Sequence, residues 1–149
     1  MSWLPDRPYT AGEWGYVNGK GRSTTSEIYN TVDGPVYQTW MEDITEYKID
    51  APAGTYEVEL LMADVSRPAR QQANLLGKGD ERASAVSKRF DITICGEVVE
   101  QNFSPADNNR YLNACRRRYI VNNNDGCIYI RFTPLQGKPV LSGLKVRRL

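Results

Sequence analysis

The 149-residue sequence predicts an all-β fold, an antiparallel β-sandwich or jelly roll. Most segments alternate apolar and polar residues with a period of two, which sends successive side chains to opposite faces of a strand. Turn-forming clusters interrupt these runs about every ten residues. No segment sustains a helical period, and no internal repeat is visible.

The elements follow in order. Residues 14–17 form the first expected strand. Residues 36–41 form another, directly after the Gly34-Pro35 break. In an unbroken strand there, Tyr37 would face away from Val36, Gln38 and Trp40, so its ring and that of Trp40 would not form one surface. Tyr37 is expected in the core or between sheets, and Trp40 either in packing or at a ligand. A strand over 44–49 follows. Residues 55–63 place Tyr56, Val58, Leu60 and Met62 on one face, with Glu57 and Glu59 on the other. Residues 89–94 turn Phe90, Ile92 and Ile94 inward, and strands are expected at 97–103 and 116–121. Residues 127–133 set Ile128, Ile130 and Phe132 opposite Tyr129 and Arg131, and Val140, Ser142, Leu144 and Val146 alternate in the closing segment. Pro52-Ala53-Gly54, Cys95-Gly96 and Asp125-Gly126 mark turns. Asp-Gly tolerates the positive φ angles of a tight hairpin, so a hairpin is expected between the strands on either side of it.

Two segments break the rhythm. Residues 64–88 form a connection of unusual length between two strands, either a tolerated surface insertion or a functional one. Residues 1–12 carry prolines and aromatics without a strand period, as a leader lying against a surface would. The expected organisation is that leader, then one module over 13–149.

Composition narrows the function. The 19 basic and 18 acidic residues leave a net charge of +1, unlike the strongly basic surface of a nucleic-acid binder. No apolar run approaches the ~18 residues of a membrane span, and the N-terminal stretch lacks a signal peptide's apolar centre. Histidine is absent, which removes the usual general base and the commonest metal ligand. Cys95, Cys115 and Cys127 have neither disulfide-framework nor zinc-site spacing and are expected as buried free thiols. Asp107 and Asp125 carry oxygen ligands that suit calcium, but without the clustering a calcium loop shows. No cofactor, metal or catalytic residue is expected. Arg116-Arg117-Arg118 reads as a charged sheet edge that discourages pairing with other chains.

Taken in order, Trp14-Gly15-Tyr16-Val17-Asn18-Gly19, Tyr29-Asn30-Thr31-Val32-Asp33-Gly34-Pro35-Val36-Tyr37-Gln38-Thr39, Pro52-Ala53-Gly54-Thr55-Tyr56 and Met62-Ala63-Asp64 share a spacing with Lys88-Arg89-Phe90-Asp91-Ile92, Asn102-Phe103, Ile130-Arg131-Phe132-Thr133-Pro134 and Gly137-Lys138-Pro139-Val140. This series resembles the malectin domain, the family 57 carbohydrate-binding module, over roughly residues 14 to 146. The resemblance implies a galactose-binding-domain-like β-sandwich. The leader Trp3-Leu4-Pro5-Asp6-Arg7-Pro8-Tyr9 resembles the stretch ahead of this module in bacterial family 2 glycoside hydrolases, chiefly β-galactosidase-like enzymes, which carry it at the C-terminus.

By that resemblance the chain is a non-catalytic accessory module of an exported, periplasmic or extracellular parent enzyme. Its expected partner is a galactose- or glucose-containing glycan, or the parent's catalytic domains, and neither nucleic acid nor membrane. The alternative is a structural module that packs on its parent without binding sugar. In the family's eukaryotic lectin, aromatics and a carboxylate on loops at one end of the sandwich hold the sugar. The matching positions here hold Glu42, Ser66-Arg67 and Gly137-Lys138-Pro139, so the aromatics are replaced. The carbohydrate-binding candidates left near that end are Trp40, Glu42, Asp64, Arg67 and Gln136, with the charged ones equally readable as solvated surface groups.

Overall fold

The computed structural model describes residues 4–65, 88–106 and 111–149. Among them the chain forms β1 (Trp14–Val17), β2 (Lys20–Ser23), one helical turn α1 (Gly34–Tyr37), β3 (Thr39–Glu42), β4 (Glu46–Asp50), β5 (Gly54–Met62), β6 (Arg89–Ile94), β7 (Glu97–Phe103), β8 (Cys115–Asn123), β9 (Cys127–Gln136), β10 (Val140–Leu141) and β11 (Gly143–Arg148). A five-stranded sheet runs β1-β4-β9-β6-β7, and two three-stranded sheets run β11-β5-β8 and β10-β3-β2. All pairings between these strands are antiparallel. The expected all-β sandwich is what forms.

The alternating segments explain the core. Tyr56, Val58, Leu60 and Met62 of β5 pack with Phe90, Ile92 and Ile94 of β6 and with Ile128, Ile130 and Phe132 of β9. Each such side chain contributes on the order of 1.5–3 kcal/mol by leaving water. Phe90 sets its ring edgewise to Phe103 and Phe132, at centroid distances of 5.6 and 6.1 Å. A second, smaller cluster on the outer face of β5 joins Leu61 and Ala63 to Ile28 and Tyr37.

Five local expectations are corrected. Residues 34–37 are a helical turn, not the start of a strand over 36–41. Pro35 suits a first turn because its fixed φ is helical and its missing N–H has no partner to find there. The Gln38 amide then closes the turn on the Gly34 carbonyl at 3.1 Å. Tyr37 is nonetheless buried, in the satellite cluster.

Asp125-Gly126 does not make a hairpin. Gly126 has the positive φ of 77° that the motif favours, but β8 and β9 lie in different sheets, so the turn carries the chain across the sandwich. Turn chemistry fixes a local reversal, whereas the apolar faces of β8 and β9 decide that the two strands oppose each other. The tight hairpin is at Cys95-Gly96, where φ values of 51° and 83° match a type I′ turn between β6 and β7.

The closing segment is broken at Ser142 into β10 and β11, because β10 pairs with β3 and β11 with β5. Glu59 is 5% exposed rather than on an open face. It lies beneath Arg116 and Arg118 of the neighbouring edge strand β8, at 3.1 and 3.2 Å. The arginine triplet does occupy a sheet edge, but one matched by carboxylates. Cys95, Cys115 and Cys127 form no disulfide, and are half-buried rather than buried.

The leader lies along β1, at the edge of the five-stranded sheet. The Tyr16 amide donates to the Arg7 carbonyl and the Tyr9 amide to the Tyr16 carbonyl, each at 3.0 Å. Tyr9 Oη donates to Asp50 Oδ2 at 2.8 Å, and the Arg7 guanidinium sits 4.2 Å from the Trp14 ring centroid.

Candidate functional site

The antiparallel pairings fix which strand ends meet. The C-terminal ends of β3, β5 and β9 and the N-terminal ends of β2, β6 and β10 share one rim of the sandwich. Glu42 ends β3 on this rim, in register with Lys20 and Val140. Its carboxylate accepts from Arg22 Nε at 2.7 Å. Gln136 ends β9 on the same rim, opposite Arg89. Asp64 follows β5 but is fully buried, and its carbonyl accepts from the Leu112 amide at 2.9 Å. Arg67 and most of the 64–88 connection lie outside the described residues, as does Asp107. Among the described residues, no three His, Cys, Asp or Glu side chains group as metal ligands would.

Trp40 does not join the rim. It lines a groove of roughly 1310 Å³ along the flank, opened by the α1 turn ahead of β3. Trp14, Val36, Leu144 and Val146 line the same groove, and Leu4 and Pro5 of the leader enter it. The four described candidates are therefore not brought together: Glu42 and Gln136 share a rim, Asp64 is buried behind β5, and Trp40 belongs to a separate apolar surface.

A second concavity escaped the sequence reading. It measures roughly 590 Å³ and lies at the edge strand β8 of the β11-β5-β8 sheet, between Asn30–Asp33 on one side and Ser104-Pro105 on the other. Asn113, Arg116 and Arg117 line it, with Tyr37 in its floor. Arg116 donates to Asp33 Oδ2 at 3.1 Å and to the Tyr37 hydroxyl, which holds the guanidinium pKa above its ordinary value. Burial raises the Tyr37 pKa, so its hydroxyl stays protonated at neutral pH. The sequence signal was present in Tyr29-Asn30-Thr31-Val32-Asp33. That run served there only as a mark of the fold, and its distance of 83 residues from Arg116 hid the pairing.

The malectin-domain family model matches residues 2–143. The chain belongs to the malectin-domain family. This malectin domain is also similar to the crystal structure of Bacteroides uniformis β-glucuronidase, with a TM-score of 0.85 and 40% identity. That match covers 100% of this chain and 16% of the enzyme's, so the domain spans about a sixth of that relative's length. It shares its fold with the plant receptor-like kinase FER, with a TM-score of 0.65 and 15% identity over 95% of this chain and 36% of that one. The ANX2 ectodomain of Arabidopsis thaliana gives 0.64 and 15%, over 97% of this chain and 42% of that one. The comparison with curated proteins gives no match. No described helix of the malectin domain is long and apolar enough to cross a membrane.

Proposed function

We propose that this malectin domain is a non-catalytic, carbohydrate-binding accessory module of a bacterial glycoside hydrolase that works in the periplasm or outside the cell. The observation that carries this reading is the 40% identity along the entire chain to one sixth of a β-glucuronidase. Similarity of that extent supports a parent that cleaves glycosides, and the likeness to a β-glucuronidase favours glucuronides over the galactosides first expected. The module supplies retention on the glycan while another domain breaks the bond. The test has two readouts: a glycan array probed with the labelled chain, and hydrolysis of aryl glycosides by the chain alone. Binding without turnover is expected. Turnover by the isolated chain, or no glycan retained at millimolar concentration, overturns the reading.

A second reading, docking against the parent's catalytic domains, is favoured by the flank groove. Trp14 and Trp40 on one apolar surface suit a protein contact better than a hydrated sugar. In a full-length parent, Trp40→Ala should lower the melting temperature of the assembly and leave glycan retention unchanged. Loss of retention with unchanged melting would return Trp40 to sugar binding.

A further inference from the structure

The polar concavity at the edge strand β8 has the size of a small-ligand site, about 300–1,000 Å³. Its walls carry side-chain amides and hydroxyls from Asn30, Thr31 and Asn113, groups that both donate and accept as a ring of hydroxyls requires. Its charged groups are one carboxylate and two guanidinium groups. Arg116 is matched, held at 3.1 Å by both Asp33 and Glu59. Arg117 is not held so closely: its carboxylate neighbour Glu100 is 3.7 Å away, and its guanidinium lies 5.3 Å from the Phe103 ring centroid. An arginine so placed can turn its planar fork onto an incoming carboxylate. Among the described residues that line the pocket the one aromatic is Tyr37, which at 1% exposed offers no face for stacking. Recognition there must come from hydrogen bonds and charge, which favours an anionic sugar over a neutral one.

We propose that this pocket binds a uronic acid, with Arg117 taking the ligand's carboxylate and Asn30, Thr31 and Asn113 taking its hydroxyls. The proposal deepens the carbohydrate-binding reading above and rests on it. It moves the site from the Glu42 rim to the sheet edge at β8, where Arg116 from one face and Arg117 from the other both reach the pocket.

The experiment is a titration of the isotope-labelled chain, followed by amide chemical shifts, with sodium glucuronate, glucose and sodium acetate. Glucuronate should shift the amides of residues 30–33 and 113–117 at millimolar concentration, and glucose should not. Arg117→Gln should weaken glucuronate about tenfold, the loss of one charge-assisted contact. Val32 is 99% exposed at the pocket mouth, so substitution there spares the core. Val32→Glu should weaken glucuronate and Val32→Lys strengthen it, each about threefold at the separations and dielectric of a surface. Acetate shifting the same amides with equal affinity would mean a simple anion site and overturns the proposal, as do unmoved amides or insensitivity to the charge at residue 32. If glucose instead shifts residues around Trp40 or Glu42, this site fails while carbohydrate binding stands. If no sugar shifts any amide, both fail.

Discussion

Gly15 lies directly beneath the leader. A Cβ built on it would collide with the backbone of Arg7, Pro8 and Tyr9, and backbone cannot swing aside as a side chain does. Gly15→Ala should therefore displace the leader and cost about 2 kcal/mol, the usual scale of overpacking. Thermal unfolding would show this as a fall of several degrees. In a chain lacking residues 1–12 the same substitution should be nearly neutral, and an equal loss in both backgrounds would refute the collision. Asp50 is a second pinning point. The Tyr9 hydroxyl, the Gly12 amide and the Cys127 thiol all donate to it, holding its pKa below the ordinary 3.8. A depressed carboxylate stabilises the fold above pH 3.8 and loses that contribution as pH falls through its lower folded value. The melting difference between the natural chain and Asp50→Asn should thus be constant above pH 4 to 5 and shrink in acid. A difference that grows in acid would reverse the sign. Burial first, and then Asp50, pushes the Cys127 thiol up to about 11. Little thiolate is present at pH 8, and alkylation there should be slow.

Among the elements, the β5–β8 pair has the most unusual chemistry. Glu57 and Glu59 face Arg116, Arg118 and Arg147 across the outer surface. Burial separates the two acids: the Glu59 side chain is 6% exposed and that of Glu57 20%. Both Glu59 arginines stay half in water and can turn outward when it is removed, so the full cost of an orphaned buried charge does not apply. Glu59→Gln should cost about 2 kcal/mol in urea unfolding, and Glu57→Gln under about 0.5. Equal losses would show that burial is not what distinguishes them. The alternating apolar faces of β5, β6 and β9 were plain in the sequence because one face meets the core and the other does not. The exposed strand β2, Lys20–Ser23, offered no such pattern, since none of its residues is buried. The α1 turn was misread because Val36 and Tyr37 have strand propensity, and only the tertiary burial of Tyr37 makes a helical turn the better arrangement. The candidate site was less legible still. The rim could be located from the family spacing, but the pocket is assembled from segments about 83 residues apart, which no local pattern records.

Over the whole molecule, sheet neighbours other than the β6–β7 hairpin are distant in sequence. Tyr56 pairs with Arg148, Ile49 with Ile128, and Ile92 with Phe132. Each such pairing closes a long loop before any contact rewards it, so folding should take milliseconds to seconds. Stopped-flow fluorescence of the three tryptophans would measure it, and a microsecond phase carrying the full amplitude would contradict this account.

The two chain ends are attached in unlike ways. β11 lies along β5 through six register pairs, while the described leader meets β1 at a single parallel bridge flanked by two backbone hydrogen bonds. Mechanical load arriving from the N-terminal side would therefore peel the leader from its strand first, a shock absorber in series with a sandwich that has yet to feel the pull.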